Sequence, residues 1–317
     1  MLILWHHLFY QHPEYGIIVF ATAKLAKVCV AMFVVLSGYG LSESVKNKNI
    51  NLFAFYKKRL TKLYLNYWII AAIFIPIGII FMDRSLVTVF GNHEYLKLAI
   101  QMIGLHMFTE VGYGYNATWW FMSLIVALYL LFPFIYKIMQ KYPYYFLALA
   151  FSIMFLSLPY VSLLKPWILP FTLGIYLSNT NGFSVIIEKL KKLGYIRFVV
   201  LIALIFLVAI QRSYGFILHG IRIDWFFGIL IILLITEIII LSQKLQIIFS
   251  FIGIHSFNIF LFHTFIYYYY WKDFIYSFNN PIIMFLVLLL VSIIVSMIIE
   301  LIKKYSSAIT NLIFTKS

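Results

Sequence analysis

The chain runs to 317 residues, 64% of them hydrophobic and 20% aromatic, with 24 Lys and Arg against only ten Asp and Glu. A mean hydropathy of +0.99 excludes a water-soluble domain, and the single cysteine, Cys29, excludes a disulfide framework and a thiolate metal cluster. The formal charge of +14 is spread over loops between apolar runs, which fits positive-inside membrane topology and argues against a nucleic-acid footprint.

Apolar runs approach the roughly 20 residues that an α-helix needs to cross about 30 Å of hydrocarbon. They lack the strict alternation of a barrel strand. In chain order they fall at 1–11, 17–41, 63–82, 118–137, 144–162, 164–178, 195–211, 222–242, 247–270 and 281–303. The fold expected is therefore all-α, a polytopic membrane bundle of about ten transmembrane helices in one domain over 1–317, the first helix shortened. Met1 opens directly into apolar residues without a basic leader, so no cleavable signal peptide is expected. The stretch 91–110 is mixed in polarity and reads as interfacial or re-entrant.

Loop charges set the orientation. With the 42–62 loop in the cytoplasm, alternate loops and the tail place sixteen Lys and Arg on that side and eight on the other. This bias predicts both termini in the cytoplasm, 179–197 inside and 211–221 outside. The localisation expected is a bacterial-type cytoplasmic membrane.

Three histidines stand out in apolar surroundings: His6 and His7 in the first run, and His263 in the ninth. An imidazole in hydrocarbon is costly unless partnered or facing a polar cavity, so an intramembrane His is a functional hypothesis. Neutral imidazole can take a proton from an attacking hydroxyl near physiological pH. Its structural alternative is a helix-end pair bonded to backbone or headgroups. Adjacent residues point about 100° apart on a helix, so only one of His6 and His7 can face a given site. His12 lies beyond the run and reads as a loop residue.

Lys57-Lys58-Arg59-Leu60-Thr61-Lys62 opens the third run. It reads either as a headgroup anchor or as a landing site for an anionic cytosolic donor, with Arg59 and Lys62 three apart on one face. Ser37-Gly38-Tyr39-Gly40 ends the second run, where small residues let helices approach closely. Aromatic clusters at run ends read mainly as an interfacial belt. Trp119-Trp120 and Tyr267 to Trp271 could alternatively stack a sugar ring. Asp224 and Glu237 fall within the membrane zone, and Arg222 is the expected ion-pair partner of Asp224. No group of residues has metal-ligand spacing, and neither a phosphate-binding glycine loop nor a Gly-x-Ser-x-Gly elbow occurs.

Four of these segments, in this order, resemble the acyltransferase-3 family of integral membrane acyltransferases. Met32 to Tyr39 looks like its second-helix Leu-Ser-Gly-Phe/Tyr signature, and Lys58 to Tyr64 like the basic opening of its third helix. Trp120 to Leu124, running on through Tyr129-Leu130-Leu131-Phe132-Pro133, looks like its Trp-containing helix. Gly253, Ser256, Phe260, Leu261 and His263 look like its late Gly-Ser-aromatic-Leu-His signature. The resemblance covers nearly the whole chain. Departures are the missing Arg about ten residues before the first-helix His, Ile125 where an acidic residue is usual, and Leu65 or Asn66 where a Pro is usual.

The resemblance implies transfer of an acyl group, most often acetyl, from cytosolic acyl-CoA to a sugar hydroxyl of a cell-surface or lipid-linked glycan. It implies a catalytic set of His7, His6 and His263, with His7 as general base because His-Leu closes the first-helix pattern, and His263 as a positioning group. Arg59, Lys58 and Lys62 would hold the donor, and Trp119, Trp120, Tyr129 and Ser37 the acceptor. Partners are then acyl-CoA, the glycan and membrane lipid, with no metal and no permanently bound cofactor. A polysaccharide or lipid-linked-sugar transporter or flippase is the main alternative, and a structural or assembly subunit a third.

Overall fold

The computed structural model describes residues 1–157, 162–215, 218 and 220–314, with side chains to 305. The end of the expected 144–162 run, part of the 211–221 segment and Lys316 lie outside the described residues.

Helices dominate throughout. In chain order they are α1 (Leu2–Phe9), α2 (Ile17–Ala26), α3 (Cys29–Val45), α4 (Leu52–Phe81), α5 (Leu86–Phe90) and α6 (Glu94–Met102). After two 3-10 turns come α7 (Trp120–Lys141), α8 (Pro143–Ile153), α9 (Ile168–Asn179), α10 (Gly182–Lys191) and α11 (Ile196–Tyr214). The chain closes with α12 (Asp224–Ile240), α13 (Gln243–Thr264), a π-helix (Phe265–Tyr270), α14 (Lys272–Tyr276) and α15 (Pro281–Phe314). Among the described residues no strand occurs.

This is a multi-pass helical membrane protein, and among the described residues its apolar runs form both long and short helices. Seven described helical stretches are long and apolar enough to cross a bilayer. α8 and α9, with 11 and 12 residues, rise only about 16–18 Å at 1.5 Å per residue. α1, at eight residues, is shorter still. α6, inside the expected interfacial stretch, has nine.

The expected 42–62 loop is also shorter. Only 46–51 lies outside helix, because the Asn51 side chain accepts the Ala54 N–H at 3.0 Å and caps α4 there. Lys57 to Lys62 thus occupy the early turns of α4. Lys and Arg are good helix formers, so a basic run does not end a helix.

The chain divides into two compact units, one of Leu25–Phe55 and Leu124–Phe249, the other of Met1–Lys24, Tyr56–Ser123 and Ser250–Ser317. In the first, α3 crosses α9 at backbone contact. A Cβ on Gly38 would lie 2.1 Å from the Phe171 carbonyl oxygen, and one on Gly174 2.0 Å from that of Val35. Lipid is as apolar as a side chain, so such close packing supplies the attraction that water supplies elsewhere. Two ion pairs tie α11 to α12: Arg197 Nε to Glu237 at 2.6 Å, and Arg212 Nε to Asp224 at 2.5 Å. The partner of Asp224 is therefore Arg212 of the adjacent helix rather than Arg222. Twelve residues apart, the two meet because the chain turns back between α11 and α12.

Candidate active site

The second unit carries all three singled-out histidines. On α1, His6 is buried and its Nδ1 lies 2.8 Å from the Ala23 carbonyl oxygen. Since a carbonyl can only accept, Nδ1 is the protonated nitrogen. The His6 ring stacks on Tyr10 at 4.6 Å between centroids. His7, half-buried, points elsewhere, as neighbours on a helix must. Its ring lies 5.1 Å from that of His263, 6.2 Å from Tyr267 and 6.0 Å from Tyr10.

His263 is fully buried near the end of α13. Its Nδ1 lies 2.9 Å from the Ile259 and 3.1 Å from the Phe260 carbonyl oxygens, so Nδ1–H donates within its own helix. That fixes the tautomer and leaves Nε2 as the lone-pair nitrogen. Nε2 is buried and makes no hydrogen bond. Tyr267 lies nearly parallel to this imidazole at 5.9 Å.

A polar clamp holds this end of α13. Leu261 O accepts Trp119 Nε1–H at 2.8 Å and Asn116 Nδ2–H at 3.3 Å. Asn116 Oδ1 in turn accepts the hydroxyls of Thr118 and Thr264, each at 2.8 Å. Side-chain donors aimed at a mid-helix carbonyl disturb the i→i−4 ladder, and the helix widens to π from Phe265. Of the tyrosines that follow, Tyr267 meets the histidine pair. Tyr269 OH accepts Ala117 N–H while its ring supports the Arg84 guanidinium at 3.6 Å, and Tyr270 OH donates to Phe74 O at 2.6 Å.

The structure thus brings together His6, His7 and His263 of the expected site residues. Trp119 is fully buried, edge-on to Tyr67, and its indole serves the clamp, leaving no free face for a sugar. Trp120 is half-buried beside Phe121. Lys58 and Lys62 are exposed and Arg59 half-buried, all within two turns of α4. Ser37 and Tyr129 belong to the other unit, half-buried on α3 and α7.

Sequence reasoning missed Asn116, Thr118 and Thr264. The signal was present: a polar Asn-Ala-Thr directly before the Trp pair. It also missed His106, fully buried outside the spans, with Nδ1 3.2 Å from Ser123 Oγ and its basicity lowered by burial to about 4. His12 lies in the turn after α1, paired with Glu14 at 2.6 Å. Among the described residues no group of His, Cys, Asp and Glu could hold a metal ion.

A family model for the acyltransferase-3 family, described as an acyltransferase domain, matches residues 1–301. No curated protein and no solved structure gives a match.

Proposed function

The chain belongs to the acyltransferase-3 family and is an enzyme that transfers acyl groups; on that premise we propose that it moves an acetyl group from cytosolic acyl-CoA to a sugar hydroxyl of a cell-surface or lipid-linked glycan. The observation that carries the reading is the bare Nε2 of His263 beside the His7 ring. A base needs a lone pair and an orienting neighbour. On this reading His263, its tautomer fixed by the Ile259 carbonyl, takes up a ring N–H of His7 with that lone pair as the reaction begins. The other His7 nitrogen then faces the acceptor as base.

In the reaction, His7 takes the hydroxyl proton as the alkoxide-like oxygen bonds to the thioester carbonyl carbon. The carbon–sulfur bond breaks, and the proton passes from His7 to the departing thiolate. Tyr10 and Trp120, both half-buried, offer aromatic surface to a sugar ring. Arg59, Lys58 and Lys62 carry the charge to meet the donor's phosphates. The same reading puts the protein in a bacterial-type cytoplasmic membrane with the 46–51 loop on the cytoplasmic side.

The test uses the protein in nanodiscs with acetyl-CoA and an isolated glycan fraction, following thiol release and acetyl transfer. Loss of a general base typically lowers the rate about 10²–10⁴-fold. His7→Gln should show such a loss with unfolding unchanged. His263→Gln should retain part of the rate and shift its pH profile, because it acts through His7. Retained turnover in both variants would sink the mechanism. Glycan movement without thiol release would favour the transporter reading instead.

A further inference from the structure

In the unit formed by 25–55 and 124–249, a cavity of about 490 Å³ opens where α3, α7 and α9 end. Its walls are Lys46, Asn47, Lys48 and Asn49 of the α3–α4 loop, Tyr136 and Gln140 one turn apart on α7, and Asn179 at the end of α9. Every lining side chain is polar and none is a carboxylate. The three helix ends belong to the face that the basic residues mark as cytoplasmic.

The wall is braced from behind. Lys46 Nζ donates to Ser178 O and Asn181 Oδ1, each at 2.7 Å, and lies 3.4 Å from Glu43 Oε1. An ammonium has three donors, so Lys46 is committed to holding the loop on α9. Glu43 is engaged by Lys46 and by the Ser178 hydroxyl at 2.8 Å, and does not line the cavity. Asn179 Oδ1 accepts the Ser42 hydroxyl at 3.0 Å, which leaves its NH₂ for the cavity. Lys48 makes no ion pair among the described residues.

We propose that this cavity binds a phosphate-bearing nucleotide, taking the phosphorylated end of the acyl-CoA donor. It rests on the donor assigned above but relocates that contact from Arg59 and Lys62 to Lys48 and its amide neighbours. A wall rich in donors, with one uncommitted cation and no carboxylate, selects for an anion. The volume falls within the range of small-molecule sites and exceeds the needs of a lone phosphate. The opening lies on the side that the basic residues mark as cytoplasmic, from which a cytosolic nucleotide arrives.

The experiment measures binding of adenosine 3′,5′-bisphosphate to the whole protein in phosphatidylcholine nanodiscs, and acetyl-CoA-dependent thiol release in the same samples. Lys48→Glu should weaken binding about tenfold or more, Lys48→Arg should retain it, and affinity should fall as salt rises. Asn179→Leu, which removes the amide donors without adding charge, should weaken it as well. The apparent KM for acetyl-CoA should rise with the dissociation constant.

Binding unchanged by Lys48→Glu and Asn179→Leu, but lost in Arg59→Ala/Lys62→Ala, overturns the site while leaving acyl-CoA as donor. Loss of nucleotide binding when phosphatidylglycerol replaces half the phosphatidylcholine overturns the nucleotide assignment in favour of a lipid headgroup. Nucleotide binding that follows Lys48 in a protein releasing no thiol upholds the site and removes the acyl-transfer reading instead.

Discussion

Two glycines of one short motif should respond to the same substitution with opposite signs. Gly38 and Gly40 both lie on α3 and both would gain a methyl group on mutation to Ala. At Gly38 that methyl would sit 2.1 Å from the Phe171 oxygen, about 1.3 Å short of the 3.4 Å at which ordinary contact begins. The obstacle is backbone, so no side-chain rotation relieves it, and α3 and α9 must part. Overpacking typically costs about 1–3 kcal/mol, against which higher helix propensity returns roughly 1 kcal/mol. At Gly40 nothing lies within 4 Å, so only the propensity remains. Gly38→Ala should therefore destabilise by up to about 2 kcal/mol, whereas Gly40→Ala should be neutral or stabilising by up to about 1 kcal/mol. Gly174→Ala meets the Val35 oxygen at 2.0 Å on the reciprocal face. Once the helices have parted both methyl groups have room, so the double variant should cost less than the sum of the singles. Unfolding midpoints in mixed micelles with rising dodecyl sulfate would resolve these differences. Equal shifts for Gly38→Ala and Gly40→Ala would refute the close crossing.

Burial lowers His106 to about 4 from 6.5, so the unfolded chain takes up the proton first. Its contribution to stability is fully present above pH 6.5 and is lost as pH falls towards 4, by at most about 3 kcal/mol. His106→Asn should flatten that part of the stability–pH curve, and parallel curves for both proteins would contradict the assignment. Asp224→Asn removes the carboxylate from the buried Arg212–Asp224 pair and should cost up to about 3–5 kcal/mol, while Asp224→Asn with Arg212→Met should recover much of it. Equal thermal shifts for the single and double variants would show that the pair is not coupled.

Apolar length was legible in the sequence, and helix ends were less so. The 144–162 and 164–178 runs are apolar enough to read as spans, yet α8 stops at Ile153 and α9 starts at Ile168. Hydropathy does not register what ends a helix. Pro166, two residues before α9, does so by sequence alone, since the residue before a proline resists helical geometry. The early start of α4 follows the same logic in reverse: Asn51, a capping residue type, outweighs the basic run behind it. Ion-pair choice was illegible for another reason. Arg222 is nearer to Asp224 in sequence, but Arg212 is nearer once α11 and α12 lie side by side, and only tertiary structure supplies that adjacency.

Residue type alone marked all three histidines, because an imidazole in hydrocarbon has few structural excuses. It could not say which nitrogen each ring commits. That depends on a carbonyl one turn back for His263 and on a carbonyl of α2 for His6. Nor could it separate the roles of the Trp pair. The clamp of Trp119 and Asn116 on Leu261 O lies two residues from His263, so the indole N–H acts on the backbone that aims the imidazole. Trp119 thus holds the backbone behind His263. Leaving a buried acceptor unpaired costs about 1–3 kcal/mol, and the Nδ1–H bond prevents His263 from relieving that cost by switching tautomer. On the proposed reading, a neutral imidazole held with its lone pair bare beside the partly accessible His7 is the state from which proton transfer begins.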